Sequence, residues 1–142
     1  MMETMHIYTD GSGINQGIGA AMYCHTTRHT TQRYLRNDRK SIVYAGELKA
    51  IHMAIIYTRE ITTDIIGCRI FTDSQPAIKS MAKPRHQSGQ SIIKRILDEI
   101  DELYRINPKY ALQFEWVPGH VGIEGNEKAD QAAKQIATQI NT

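Results

Sequence analysis

The sequence has little cysteine, little excess charge and no long apolar run, and each shortage excludes a class of protein. The chain has only two cysteines, Cys24 and Cys68, and they fit no metal-binding spacing. A disulfide scaffold is therefore not expected, and the sequence predicts free thiols in a reducing compartment. Lysine and arginine number 17 and aspartate and glutamate 15, so the net charge of +2 excludes a simple polycationic coat for nucleic acid but allows a local basic patch. No run approaches the ~20 apolar residues of a membrane span, and residues 1–10 lack the apolar segment of a signal peptide. We therefore expect a soluble intracellular protein without a membrane partner.

The length of the chain suits one domain. Its 142 residues, 41% of them hydrophobic, are enough for a core that needs no disulfide or metal to hold it. Repeats, low-complexity segments and Ser/Pro-rich linkers are missing from the sequence. We therefore expect a single domain over residues 1–142.

The apolar spacing predicts strands first and then an alternation of helices and strands. Alternating and β-branched residues favour strands over 5–10, 18–26 and 31–42, with a glycine-rich turn after the first. The remaining elements are a helix over 43–60, a strand over 67–73, a short helix capped by Ser74, a helix over 91–106, a strand over 112–117 and a helix over 126–139. An antiparallel meander followed by strand–helix alternation predicts a mixed α/β sheet with helices on its faces.

Four acidic residues stand at positions where active sites form. Asp10 and Asp73 each follow a threonine and are predicted to close an apolar strand, and strand ends of α/β sheets gather active-site residues. Glu47 lies early on the first helix, and Asp130 lies inside the last helix, where aspartate is unfavourable. The alternatives stay open: either strand-end Asp can start a turn or cap a helix, and Glu47 and Asp130 can be solvated surface residues.

Convergence of four carboxylates requires compensation, because like charges raise one another's pKa. Divalent cations resolve that conflict, and oxygen ligands without clustered Cys or His favour Mg²⁺ or Mn²⁺ over zinc. Two such ions roughly 3.5–4 Å apart can stabilise both the attacking and the leaving oxygen of a phosphodiester displacement.

Four motifs together resemble the type 1 ribonuclease H family. They are Tyr8-Thr-Asp10-Gly-Ser12, Gly46-Glu47-Leu48-Lys-Ala50, Phe71-Thr-Asp73-Ser-Gln75 and Trp116-Val-Pro-Gly-His120-Val-Gly-Ile-Glu-Gly125-Asn-Glu127-Lys-Ala-Asp130. The motifs run in the family's order across nearly the whole chain. The last is the most specific, since His120 precedes Asp130 by ten residues.

The resemblance implies an RNase H-like fold, with three antiparallel and then two parallel strands in a five-stranded mixed sheet that carries helices on both faces. It also implies an enzyme that cleaves the RNA strand of RNA/DNA hybrids with two Mg²⁺ ions, for which Mn²⁺ can substitute. By position, Asp10, Glu47, Asp73 and Asp130 would bind the metals, with Asp10 as the bridge. A metal-activated water would leave 3′-hydroxyl and 5′-phosphate ends. His120, on a glycine-bracketed loop, would assist turnover, a role suited to a group that titrates near neutrality.

The same resemblance suggests how the hybrid would be recognised. Gly11, Ser12, Asn15 and Gln75 stand at family-like positions for contacts to the RNA strand, where the 2′-hydroxyl distinguishes RNA from DNA. Many members carry a Thr-Asn-Asn-like stretch for the DNA strand, but residues 41–46 retain few polar side chains there. Ser41 and Tyr44 are the donors left in that segment.

The sequence also lacks the basic protrusion of many bacterial members, since only residues 83–89 separate the two helices at that place. Both departures are similar to the domains attached to reverse transcriptases of non-LTR retrotransposons, so a covalently linked reverse transcriptase domain is an implied partner.

Two basic stretches could contact phosphates, or could simply be solvated faces. The first, residues 79–95, contains Lys83 and Arg85 among five basic residues and has no acid; the second, residues 28–40, also has five basic residues and one acid. We expect Trp116 to pack in the core rather than to stack on bases.

Two other functions remain as alternatives. A transposase- or integrase-like enzyme would share the fold and the acidic centre but act on DNA, and residues 118–130 disfavour it. A non-catalytic scaffold for a reverse transcriptase would be expected to have lost site residues, yet all four acids and His120 are present.

Overall fold

The computed structural model of the protein describes residues 3–14, 17–36, 43–61, 65–83, 90–119 and 122–138. Within these ranges the chain alternates strands and helices in the predicted order. The elements are β1 (Glu3–Ile14), β2 (Gly17–Cys24), β3 (His29–Arg36), α1 (Val43–Glu60), β4 (Ile65–Thr72), α2 (Gln75–Ala82), α3 (Gln90–Ile106), β5 (Ala111–Trp116) and α4 (Glu124–Ala137).

The five strands form one mixed sheet in the order β3-β2-β1-β4-β5. The pairs β1–β2 and β2–β3 are antiparallel, whereas β1–β4 and β4–β5 are parallel. The predicted RNase H-like architecture is therefore confirmed, and β1 is its central strand.

Strand β1 is longer than the sequence predicts. The glycines expected to form a turn after Asp10 continue the strand to Ile14, so the prediction that Asp10 ends its strand is wrong. The cause is the packing of α1: a Cβ on Gly11 would lie 2.5 Å from the backbone nitrogen of Glu47. Glycine here therefore allows close approach of a helix instead of making a turn.

The helices pack on the two faces of the sheet. Helices α1 and α3 contact each other, and α1 lies on β1, β2 and β4, whereas α4 lies against β1, β2 and β3. The main core lies with α1 and α3, and its fully buried side chains include Met5, Ile7, Leu48, Ile51, Ile55, Ile70, Ile93 and Ile96. Small residues line the α4 face, since a Cβ on Gly19 would lie 2.1 Å from the carbonyl oxygen of Ala133. Close packing of this kind holds α4 near the centre of the sheet.

Two local predictions are confirmed. Ser74 caps α2, since its Oγ accepts a hydrogen bond of 3.2 Å from the backbone N–H of Ala77, and a proline occupies the first turn. Cys24 and Cys68 are both buried free thiols. In the part of the chain that the structure describes, every helix is too short or too polar to cross a bilayer.

Candidate active site

Three carboxylates meet at the centre of the sheet. Oxygen atoms of Asp10, Glu47 and Asp73 lie within 4.8 Å of one another. The strand register explains the first pair: Thr9 in β1 is paired with Thr72 in the parallel strand β4, so the aspartates that follow the two threonines are neighbours. Three elements distant in the chain therefore deliver acidic side chains to one point.

Glu47 reaches this point because α1 lies unusually close to β1. A Cβ on Gly46 would lie 3.0 Å from Ile18 Cγ2 and 3.4 Å from the Cα of Gly11. Two facing glycines thus let the helix backbone approach the strand, which leaves Glu47 only 7% exposed next to the 4% exposed Asp10. Burial of two acids side by side is costly without a compensating charge.

Asp130 approaches from the opposite face on α4. Gly125 at the start of that helix lies on the ring of Tyr8, where a Cβ would come within 2.2 Å of ring atoms, and Tyr8 itself stacks on Phe71 at 4.6 Å. The Asp130 side chain shares a hydrogen bond with Asp10 and pairs with Lys134, whose Nζ lies 3.0 Å from Asp130 Oδ2. The fourth predicted acid therefore contacts the three-carboxylate group through Asp10.

The electrostatics of the site oppose ionisation of the two most buried acids. Burial first, then the charge of Glu47, raises the pKa of Asp10 from 3.8 to about 10, with the hydrogen bond to Asp130 and the charge of Asp73 adding to the rise. Burial first, then the charge of Asp73, raises the pKa of Glu47 from 4.5 to about 8. Such shifts are typical of functional sites, and a cation placed among the carboxylates would reverse them.

The donor set fits a hard divalent cation. All the converging atoms are carboxylate oxygens, which Mg²⁺ and Mn²⁺ prefer. Glu47 Oε2 is buried and has no hydrogen-bond partner among the described residues, although buried carboxylate oxygens are normally satisfied. A metal ion would supply that missing partner.

The segment that follows β5 runs along Asp73. The backbone N–H of Val117 donates to the Thr72 carbonyl at 2.9 Å, and a Cβ on Gly119 would lie 2.7 Å from Asp73 Oδ2. Trp116 donates its indole N–H to the Asp73 carbonyl at 3.3 Å and is 48% exposed. The prediction that Trp116 packs in the core is therefore wrong, because this hydrogen bond holds the ring at the rim of the site.

The residues predicted to contact the substrate differ in how far they are buried. Gly11 is packed under α1, and its N–H donates to Asp10 Oδ1 at 2.9 Å. Ser12 is nearly buried in β1. Gln75 and Lys83 are exposed at the two ends of α2. Four predicted residues fall outside the described ranges, namely Asn15, Ser41, Arg85 and His120.

Lys134 is the site neighbour that the sequence analysis missed. It follows Asp130 by four residues on one helix, the spacing at which opposite charges pair. This spacing in the sequence could have predicted the ion pair.

Comparison with known proteins agrees with this architecture. A sequence model of the family described as RNase H matches residues 2–138 of the chain. Pol polyproteins of equine infectious anemia virus, from isolates 1369 and CL22 and strain Wyoming, are each 36% identical to the chain over 129 residues. This alignment covers 90% of the chain and 10% of each polyprotein, so the chain spans about a tenth of the length of these curated relatives.

Proposed function

Because the chain belongs to the RNase H family, we propose that it is an endoribonuclease that hydrolyses the RNA strand of RNA/DNA hybrids. The observation that carries the proposal is the convergence of Asp10, Glu47 and Asp73 within 4.8 Å at the centre of the sheet. A group of oxygen donors this buried suits phosphodiester hydrolysis assisted by divalent cations.

In this proposal Asp10, Glu47, Asp73 and Asp130 would hold two Mg²⁺ ions, for which Mn²⁺ could substitute. The ions would stabilise charge on the attacking and leaving oxygens of the scissile phosphate. The products would carry 3′-hydroxyl and 5′-phosphate ends. His120, which follows the segment beside Asp73, would move a proton during turnover, as a group that titrates near neutrality can.

Two of the carboxylates, Asp10 and Glu47, are held in place by contacts of their own. Asp10 accepts a hydrogen bond of 2.9 Å from the Gly11 N–H, which helps to fix the rotamer of this proposed metal ligand. Glu47 is held by the close contact of α1 with β1. A preorganised set of donors of this kind lowers the cost of reorganisation during the reaction.

We further propose that Gly11, Ser12, Asn15, Ser41, Gln75, Lys83 and Arg85 contribute to hybrid binding. Gln75, the first residue of α2, and Lys83, directly after its last residue, are both exposed, which makes them accessible to a duplex seated on the site.

We also propose a retroelement context, in which the domain belongs to the type 1 branch and is linked to a reverse transcriptase of non-LTR type. The similarity to Pol polyproteins over a tenth of their length supports a domain that works within a larger chain.

The test is a cleavage assay with a labelled RNA/DNA hybrid in Mg²⁺, alongside duplex DNA, duplex RNA and hybrid in a chelator. We expect cleavage of the RNA strand of the hybrid alone. Asp10→Asn should abolish it, whereas Asp101→Asn, at an exposed acid on α3, should not. Cleavage of duplex DNA would favour the DNA-acting alternative, and hybrid binding without cleavage would favour the non-catalytic scaffold.

A further inference from the structure

One residue from each basic stretch of the sequence lies near Lys49 in the fold. Arg33 on β3 and Lys49 on α1 line one groove of about 210 Å³ at the edge of the sheet. Arg95 projects from α3, which packs against α1, and its charge acts on both Lys49 and His52. Arg33, Lys49 and Arg95, here called the basic groove, thus come from three different elements.

Among the described residues, no carboxylate neutralises the positive charges of the basic groove. None of its three cations has a carboxylate within ion-pair distance in the described part of the chain. Two acids lie nearby: Glu99 pairs with Arg59, and Glu60 lines the same groove but forms no ion pair with Arg33 or Lys49. Lys49 Nζ instead contacts His52 Nδ1 at 3.3 Å, and burial together with Arg33 and Arg95 lowers the pKa of Lys49.

A folded protein that gathers like charges without counter-ions loses stability from their repulsion. Such an arrangement is suited to binding an anion, as clustered cations are in nucleic-acid sites. The groove also has an aromatic wall, in which His29 and Tyr57 stack at 4.9 Å with their rings 5° from parallel. Tyr57 is fixed by a hydrogen bond of 2.7 Å with Thr27. Flat rings beside cations are typical of surfaces that follow a nucleic-acid strand.

The position of Lys49 relative to Glu47 indicates which strand is bound. Residues two apart on a helix differ by roughly 200° around its axis and about 3 Å along it. Lys49 therefore leaves α1 on the side away from Glu47, so the two side chains lie on opposite sides of a helix roughly 10 Å across. A duplex with one strand at the carboxylates presents the phosphates of its other strand on the far side of the wide minor groove of an A-like helix.

We propose that the basic groove binds the phosphate backbone of the uncleaved DNA strand of the hybrid. This inference rests on the proposed function, and it accounts for DNA-strand binding where the sequence lacks the Thr-Asn-Asn-like stretch of many relatives.

The experiment measures the dissociation constant for an RNA/DNA hybrid as a function of salt, in an Asp10→Asn background that prevents cleavage. Arg33→Gln, Lys49→Gln and Arg95→Gln should each weaken binding about 3- to 10-fold at low salt and reduce the salt slope by about one. Lys109→Gln, at an exposed lysine on the turn before β5, is the matched control and should change neither quantity. Melting temperatures separate binding from folding, because Lys49→Gln relieves repulsion and should melt no lower than its parent.

Replacing single phosphates of the hybrid by neutral methylphosphonates then identifies the strand that is bound. A methylphosphonate in the DNA strand should weaken binding to the Asp10→Asn protein. At one DNA linkage, the same replacement should no longer weaken binding when the protein also carries Lys49→Gln. Loss confined to RNA-strand linkages, or unchanged salt slopes in all three variants, would overturn the proposal. Cleavage by the unmutated protein, measured in parallel, tests the proposed function separately: hybrid that binds through the basic groove but is not cut would refute only the nuclease activity. A protein that binds no hybrid would refute both.

Discussion

Lys134 Nζ lies 3.0 Å from Asp130 Oδ2, one turn further along α4. The hydrogen bond with Asp130, and more weakly the charge of Asp10, raise the pKa of Lys134. The acidic site therefore has a built-in cation on its solvent side. If Asp130 is a metal ligand as proposed, its ion pair with Lys134 must weaken when metal binds. Lys134 would then stabilise the metal-free protein and lower its affinity for metal.

Replacing Lys134 by Gln should expose that competition. In a chelator the variant should melt at a lower temperature, because Asp130 and Asp10 lose a neighbouring positive charge. The Mg²⁺ concentration that gives half of the thermal stabilisation should fall, because no ammonium group must leave Asp130. Thermal unfolding over a Mg²⁺ titration measures both, with Lys109→Gln as the control. Equal midpoints in the variant and the control would contradict the competition.

Asp10→Asn should make the metal-free protein more stable, although it abolishes the proposed activity. Asp10 has a folded-state pKa of about 10 against an ordinary 3.8. The stability that the protonated carboxyl provides is therefore complete below about pH 3.8 and is lost as pH rises towards 10. The asparagine amide needs no proton. At pH 8 the free energy of unfolding of Asp10→Asn should therefore exceed that of the unmutated protein by ~1 kcal/mol or more, and the difference should grow between pH 5 and 9.

Denaturant unfolding in a chelator at several pH values measures this difference. Mg²⁺ should reduce or reverse the stability advantage of Asp10→Asn, since only the unmutated protein has all of the proposed metal ligands. A difference that is independent of pH would mean that Asp10 is ionised in the folded protein without a metal.

Local patterns were enough to predict most of the fold and the meeting of two of the acids. The apolar period distinguishes strands from helices, and Asp10 and Asp73 each follow a threonine in strands that prove to be parallel and paired at those threonines. Glu47 and Asp130 were candidates from their own positions on helices, where a surface role stayed open, and the resemblance to the family then favoured a role in the site.

What could not be predicted depends on tertiary neighbours. Gly11 has the same local signal whether it makes a turn or admits a helix, and only the packing of α1 decides between them. Trp116 is apolar and strand-forming, yet a hydrogen bond to Asp73 holds it at the surface. The approach of Arg33 and Arg95 to Lys49 joins residues from three elements, which no spacing along the chain reveals.

Gly11→Ala should disrupt both the fold and the site. Its Cβ would lie 2.5 Å from the Glu47 backbone nitrogen and 2.7 Å from the Gly46 carbonyl carbon, and backbone atoms cannot rotate away. We expect destabilisation at or above the upper end of the ~1–3 kcal/mol typical of overpacking, together with displacement of Glu47 and loss of hybrid cleavage.

Gly13→Ala is the matched control for that substitution. Among the described residues, its Cβ would meet only the movable side chains of Val43 at 2.9 Å and Ile18 at 3.4 Å. Chemical denaturation and cleavage at a temperature where both variants are folded measure the two effects. Similar losses in Gly11→Ala and Gly13→Ala would contradict a specific role for the contact with α1.

Trp116 should report on the site directly, because it is the chain's one tryptophan and its indole N–H donates to the Asp73 carbonyl at 3.3 Å. A cation bound to the Asp73 carboxylate changes the field at this half-exposed ring, so Mg²⁺ should shift its emission with the same midpoint as the thermal stabilisation. In Asp10→Asn the shift in emission should occur at higher Mg²⁺ concentration or vanish.

Trp116→Phe is the control without tryptophan emission. It should lose the hydrogen bond to Asp73, which lowers the free energy of unfolding by about 0.5–1.5 kcal/mol, yet Mg²⁺ should still raise its melting temperature. Emission that stays constant while Mg²⁺ raises the melting temperature would place the bound cation away from Asp73, and with it the site proposed for catalysis.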